Sequence, residues 1–125
     1  MNPFASLRVP IAQDEEMDAA DLPPDRYAKV LADLSRINRL TMAPRPTLSF
    51  LDRVCARGVG DRPWRILDVG FGAGDMLARI ARWGDRRGVA LDLVGVDLNR
   101  KSEVVAATRL GGRARLITGD YRALA

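Results

Sequence analysis

From Asp25 the chain places Tyr27, Val30, Leu31, Leu34, Ile37 and Leu40 at intervals of three and four. Residues so spaced share one helical face, so the segment "RYAKVLADLSRINRL" is predicted to be an amphipathic helix. The prolines of "APRPT" end it. A second short helix is expected next, with Thr47 as its N-cap and Leu48, Leu51 and Val54 on one face, before Gly58, Gly60 and Pro63 break the chain.

After Trp64 the period changes. "RILDV" is apolar at successive positions, as in a parallel strand covered on both faces. "MLARIARW" returns to helical spacing through Met76, Leu77, Ile80, Ala81 and Trp83, with Gly88 as its C-terminal stop. "LDLVGVDLN" reads as the next strand, "KSEVVAATRLGG" as a helix closed by glycines, and "RARLITGD" as a third strand. Strands alternating with helices, joined by right-handed crossovers, predict an α/β fold with a doubly wound, parallel sheet of Rossmann-like type. Three regions follow: a flexible acidic arm over residues 1–24, where "DEEMDAADLPPD" supplies the acids, a helical cap over 25–60, and the strand-containing domain over 61–125.

Composition narrows the classes. With 125 residues, 47% of them hydrophobic and 29% charged, the chain fits a globular domain with a modest core. No apolar run is long enough to span a membrane, and "MNPFASLRVPIAQDEEMD" lacks the apolar core of a signal peptide, so no membrane association and a cytoplasmic location are expected. Cys55 is the only cysteine and there is no histidine, which leaves no disulfide and sets zinc aside. Cys55 and both tryptophans, Trp64 and Trp83, read as core residues. Of the 20 basic residues 18 are arginine, but they are mixed with acids. Their one cluster, "RWGDRRG", falls at a helix end where cations offset the macrodipole, and aromatics for base stacking are few, so no nucleic-acid partner is expected.

The candidate chemistry lies at the strand ends, where ligands bind in sheets of this class. The first strand ends in Asp68 and the loop Gly70, Gly72, Gly74; the second in Asp97; the third in Asp120, followed by Tyr121. Glycines permit close backbone approach, and the helix after them offers N–H groups to an anion. The acids decide which anion. A pyrophosphate over this loop would be repelled by Asp68 or Asp75. S-adenosylmethionine has no phosphate, and its ammonium and sulfonium favour neighbouring carboxylates. Asp75 also stands where the third glycine of a G-x-G-x-x-G loop would be. Structural readings compete at three positions: Asp75 favours the helix dipole, Asp97 competes with Asn99 for the cap of the next helix, and Asp120 can start a turn.

"ILDVGFGAGD", "LVGVDLN" and "LITGDYRAL" together resemble, in order and separation, the first three motifs of class I S-adenosylmethionine-dependent methyltransferases. The resemblance covers roughly residues 64 to 125. It implies that Asp68 and the loop glycines Gly70, Gly72 and Gly74 hold the methionine end. By the same resemblance Asp97 accepts the ribose hydroxyls, Leu98 packs on the adenine, and Asp120 meets the adenine amino group with Tyr121 nearby. The helices before the core are similar to the cap of bacterial small-molecule methyltransferases. The resemblance implies a seven-stranded sheet, of which this chain supplies three strands, so the chain reads as truncated. "RILDV" is then an exposed apolar edge that invites pairing, including with a second copy.

The function expected is methyl transfer from S-adenosylmethionine to a small-molecule acceptor such as a hydroxylated aromatic, a polyketide or a quinone. No residue recommends itself as the catalytic base, and no metal is expected. Two alternatives stand beside it. One is a non-catalytic remnant that binds the cofactor or serves as an interaction module. The other is an NAD-dependent oxidoreductase, which Asp97 suits but Asp68 and the missing third glycine oppose.

Overall fold

The computed structural model describes residues 22–40 and 43–124. The acidic arm expected over residues 1–24 lies almost wholly outside them. Helix α1 spans Pro24–Leu40 and α2 Arg45–Cys55. Then strand β1 (Trp64–Val69), α3 (Asp75–Arg87), β2 (Leu91–Asp97), α4 (Arg100–Leu110) and β3 (Arg115–Thr118) alternate, and a single 3₁₀ turn follows at Tyr121–Leu124.

The sheet is parallel, in the order β1-β2-β3. Its register sets Ile66 beside Leu93 and Asp68 beside Gly95, and then Gly95 beside Leu116. The expected α/β order is present throughout. The core lies under α3 and α4, where Leu77, Ile80, Trp83, Leu93, Ala106 and Leu110 are buried together. Trp64 meets Trp83 with ring centroids 5.9 Å apart, and Cys55 packs against the same cluster. Trp83 Nε1 donates to Asp52 at 2.8 Å, so the one polar atom of this buried ring is satisfied.

Gly95 makes close packing of the α3 side possible. A Cβ there would stand 2.7 Å from the Phe71 ring and 2.9 Å from Leu77, so no larger residue fits beneath the loop. Gly74 caps α3 in the left-handed region at φ 78°, and a Cβ on it would lie 3.0 Å from Ala106 Cβ. The loop therefore turns and α3 meets α4 at the same residue.

Three expectations need correction. β1 is covered on one face only: its residues alternate between half-buried and exposed, with Leu67 and Val69 at 52% and 50%. A continuous apolar run is thus compatible with an edge strand whose outer face is open. Thr47 does not cap α2, which begins two residues earlier with Pro44 at the N-cap and a proline in its first turn; the preset proline φ starts the helix. The apolar stripe of α1 is only partly buried. Tyr27 and Leu31 face the core, whereas Leu34 and Ile37 face solvent.

Candidate functional site

Parallel pairing brings the carboxyl ends of all three strands to one edge of the sheet, and a cavity of about 400 Å³ opens there. Gly70, Gly72, Asp97, Leu98, Asp120 and Tyr121 line it. Six of the eight residues singled out from the sequence therefore meet in one place.

Asp97 is the joint of this site. One carboxylate oxygen accepts the N–H of Gly72 and the other that of Asn99, both at 2.9 Å. Asn99 settles the competition for the cap of α4: its side chain accepts the N–H of Lys101 at 3.0 Å. Asp97 is thereby left facing the cavity, and each of its oxygens keeps a lone pair for a hydroxyl.

Asp68 and Gly74 do not line the cavity. Asp68 sits behind Asp97 on the same sheet face, because the register pairs it with Gly95, two residues before Asp97. Its Oδ2 is buried and has no hydrogen-bond partner among the described residues. Burial, and then the neighbouring Asp97 carboxylate, push its pKa up from the ordinary value. Gly74 serves helix packing instead.

The glycine loop offers a ligand shape more than donors. Gly70 N–H bonds Val96 O at 2.7 Å, Gly74 N–H bonds Phe71 O at 2.8 Å, and Gly72 N–H is taken by Asp97. At Gly70 and Gly72 themselves no side chain stands in the way, so a ligand can approach the backbone closely.

Asp120 starts a turn, the structural one of the two readings expected for it, and it also stands at the cavity. Its Oδ1 accepts the Arg122 N–H at 2.9 Å to start the 3₁₀ turn. The Arg122 guanidinium also grips it at 2.6 to 3.0 Å, and these bonds hold its carboxyl below the ordinary range. Leu98 and Tyr121, 77% and 53% exposed, stand at the cavity as unburied apolar surfaces suited to a flat heterocycle. Asp75 is turned away from the cavity chemistry: it accepts from Ser35 of α1 and pairs with Arg109 of α4.

Seven lining residues were not singled out from the sequence, and three of them, Val69, Val96 and Gly119, simply flank residues that were. Arg122 was signalled by its place two residues after Asp120, and Asn99 was read only as a cap. Tyr27 and Leu31 come from α1 and were indistinguishable from ordinary core positions. Among the described residues no group of His, Cys, Asp and Glu could hold a metal ion, and no helix is long and apolar enough to cross a membrane.

No family model matches the chain, and no curated protein matches it. Solved structures do. The citrinin polyketide synthase CMeT domain superposes with a TM-score of 0.55 at 21% identity, over 62% of this chain and 21% of that one. The plantazolicin methyltransferase BpumL, solved with a pentazolic desmethylPZN analog and SAH, is 25% identical over 84% of this chain and 32% of its own, with a TM-score of 0.39. YjhP from E. coli is 23% identical over 84% of this chain and 34% of its own, with a TM-score of 0.37. The chain thus spans between a fifth and about a third of the length of these structures. By fold, the chain is a three-stranded Rossmann-like α/β unit similar to part of the citrinin polyketide synthase CMeT domain.

Proposed function

We propose that this chain binds S-adenosylmethionine and forms the cofactor-holding part of a methyltransferase acting on a small molecule. The observation that carries the reading is the pair Asp68 and Asp97 beside the glycine loop, with one buried Asp68 oxygen unpartnered. A phosphate brought against two carboxylates is repelled by about 4 kcal/mol for each charge pair at about 4 Å in a partly solvated site. A ligand that brings an ammonium and a sulfonium is attracted by the same groups. The residues present therefore fit the methyl donor and oppose a dinucleotide.

Roles follow from position. Asp97 accepts the two ribose hydroxyls while its backbone bonds keep it oriented. Leu98 and Tyr121 flank the adenine, and Asp120, held by Arg122, accepts from the adenine amino group. The backbone of Gly70 and Gly72 faces the methionine end, Asp68 adds its charge from behind Asp97, and Gly74 supports the loop by fixing the start of α3. Once bound, the donor supplies a methyl carbon whose bond to sulfur breaks as a bond to the acceptor nucleophile forms, a displacement that runs mainly on alignment. The acceptor we infer is a hydroxylated aromatic, polyketide or quinone, a reading that rests on the helical cap before the core. No residue of this chain is assigned as a base.

Calorimetric titration of the chain and of Asp97→Ala with S-adenosylmethionine, S-adenosylhomocysteine and NAD tests the reading. Binding of the first two that is lost in the variant supports it. Binding of NAD, or no binding by a demonstrably folded chain, overturns it, and the second result favours an interaction module.

A further inference from the structure

Helix α1 is fastened to the rest of the fold at two polar points. In its first turn the buried Tyr27 hydroxyl lies 2.5 Å from the Ser102 hydroxyl of α4, itself fully buried. Roughly two turns further on, the buried Ser35 hydroxyl donates to Asp75 at the start of α3, and Asp75 also pairs with Arg109 of α4. Leu31 is the buried apolar side chain between the two points. Helices in proteins owe most of their stability to tertiary packing of one face, so α1 depends on staying docked. A segment held by few apolar contacts is also among the first to open.

The docked face of α1 is at the same time a wall of the cavity. Tyr27 and Leu31 line it, and a Cβ on Gly72 would stand 3.6 Å from Leu31 Cδ2, so the helix rests on the glycine loop. Lys101 reinforces the arrangement, donating to Leu22 O just ahead of α1 and standing 5.8 Å from the centre of the Tyr27 ring.

We propose that α1 is a two-point latch, held by Tyr27–Ser102 and Ser35–Asp75, whose docking is coupled to occupancy of the cavity by an adenosine-bearing ligand. The ligand class rests on the functional reading above; the latch rests on the two hydroxyl contacts. A ligand in the cavity reaches Tyr27 and Leu31 only while α1 is docked, so it binds the docked state better. Its binding must then shift α1 toward that state.

Hydrogen exchange of the full chain, wild type, Tyr27→Phe and Ser35→Ala, with and without S-adenosylhomocysteine, tests this alongside calorimetric titration of each. Over residues 24–37, Tyr27→Phe is expected to exchange about fivefold faster, the ratio produced by one lost neutral hydrogen bond, and Ser35→Ala, which loses a bond to a carboxylate, about tenfold faster or more, with α3 and β2 unchanged. Ligand at about a hundred times its dissociation constant is expected to slow the same segment by up to about a hundredfold. Variants that leave residues 24–37 unchanged, or that loosen the whole chain alike, overturn the latch. So does ligand that binds by calorimetry without slowing the segment. A folded chain that binds no ligand overturns the coupling and the functional reading together, and the calorimetric trace distinguishes that result from a failure of the latch alone.

Discussion

Asp97 Oδ2 accepts the N–H of Gly72 at 2.9 Å, tying the end of β2 to the loop that follows β1. The bond crosses from one crossover unit to the next and makes the acid part of the scaffold as well as of the site. Asp97→Asn replaces one acceptor with an amide that faces a backbone donor. Loss of this charged acceptor is expected to lower stability by about 1–3 kcal/mol and to abolish S-adenosylhomocysteine binding, as read by urea denaturation and calorimetry. A variant of unchanged stability would show that the Gly72 bond does not hold the loop.

Asp68 carries a pH dependence whose sign is set by its burial. Its pKa is raised from 3.8, so the fold prefers the protonated acid. The stability it contributes is complete below the ordinary carboxylate range and is lost as pH rises through its folded value. Asp68→Asn is therefore expected to be more stable than wild type at neutral pH, and the difference should vanish on acidification. Thermal melts across that range check it. Affinity for S-adenosylmethionine should fall in wild type as Asp68 becomes protonated, because a neutral acid no longer attracts the cation.

Two glycine substitutions separate backbone strain from crowding. Gly88 caps α3 at φ 65° with open space around it, whereas Gly74 combines φ 78° with the 3.0 Å approach to Ala106. Gly88→Ala is expected to cost about 1 kcal/mol, the penalty for a left-handed alanine. Gly74→Ala should cost roughly 1–3 kcal/mol more, since Ala106 and Leu110 must give way. Equal losses in denaturant titrations would show that α3 and α4 move apart freely.

On the open face of the edge strand β1, Leu67 and Val69 are half exposed, and Phe50, 56% exposed, lines a groove with Leu67. Unpaired strand groups next to apolar side chains favour association. The purified chain is expected to self-associate in sedimentation velocity runs, and Leu67→Lys to reduce that association. Wild type that sediments as a monomer at all concentrations would remove this proposal.

Local chemistry made much of this protein legible in its residues. Helical spacing, the glycine loop and an acid at each strand end act over a few positions, so β1 to β3 and six lining residues followed from them. The cap of α4 stayed open between Asp97 and Asn99 because both stood within reach of it, and only the folded backbone gave it to Asn99. The choice of face for α1 was likewise not written in its own spacing. Leu34 and Leu31 fit the same stripe, yet one is exposed and the other closes the cavity. What separates them is contact with residues far along the chain, Ser102 for Tyr27 and Asp75 for Ser35. Periodicity records which side chains share a helical face; what that face meets is decided by tertiary packing, which alone turned α1 from a core helix into a wall of the site.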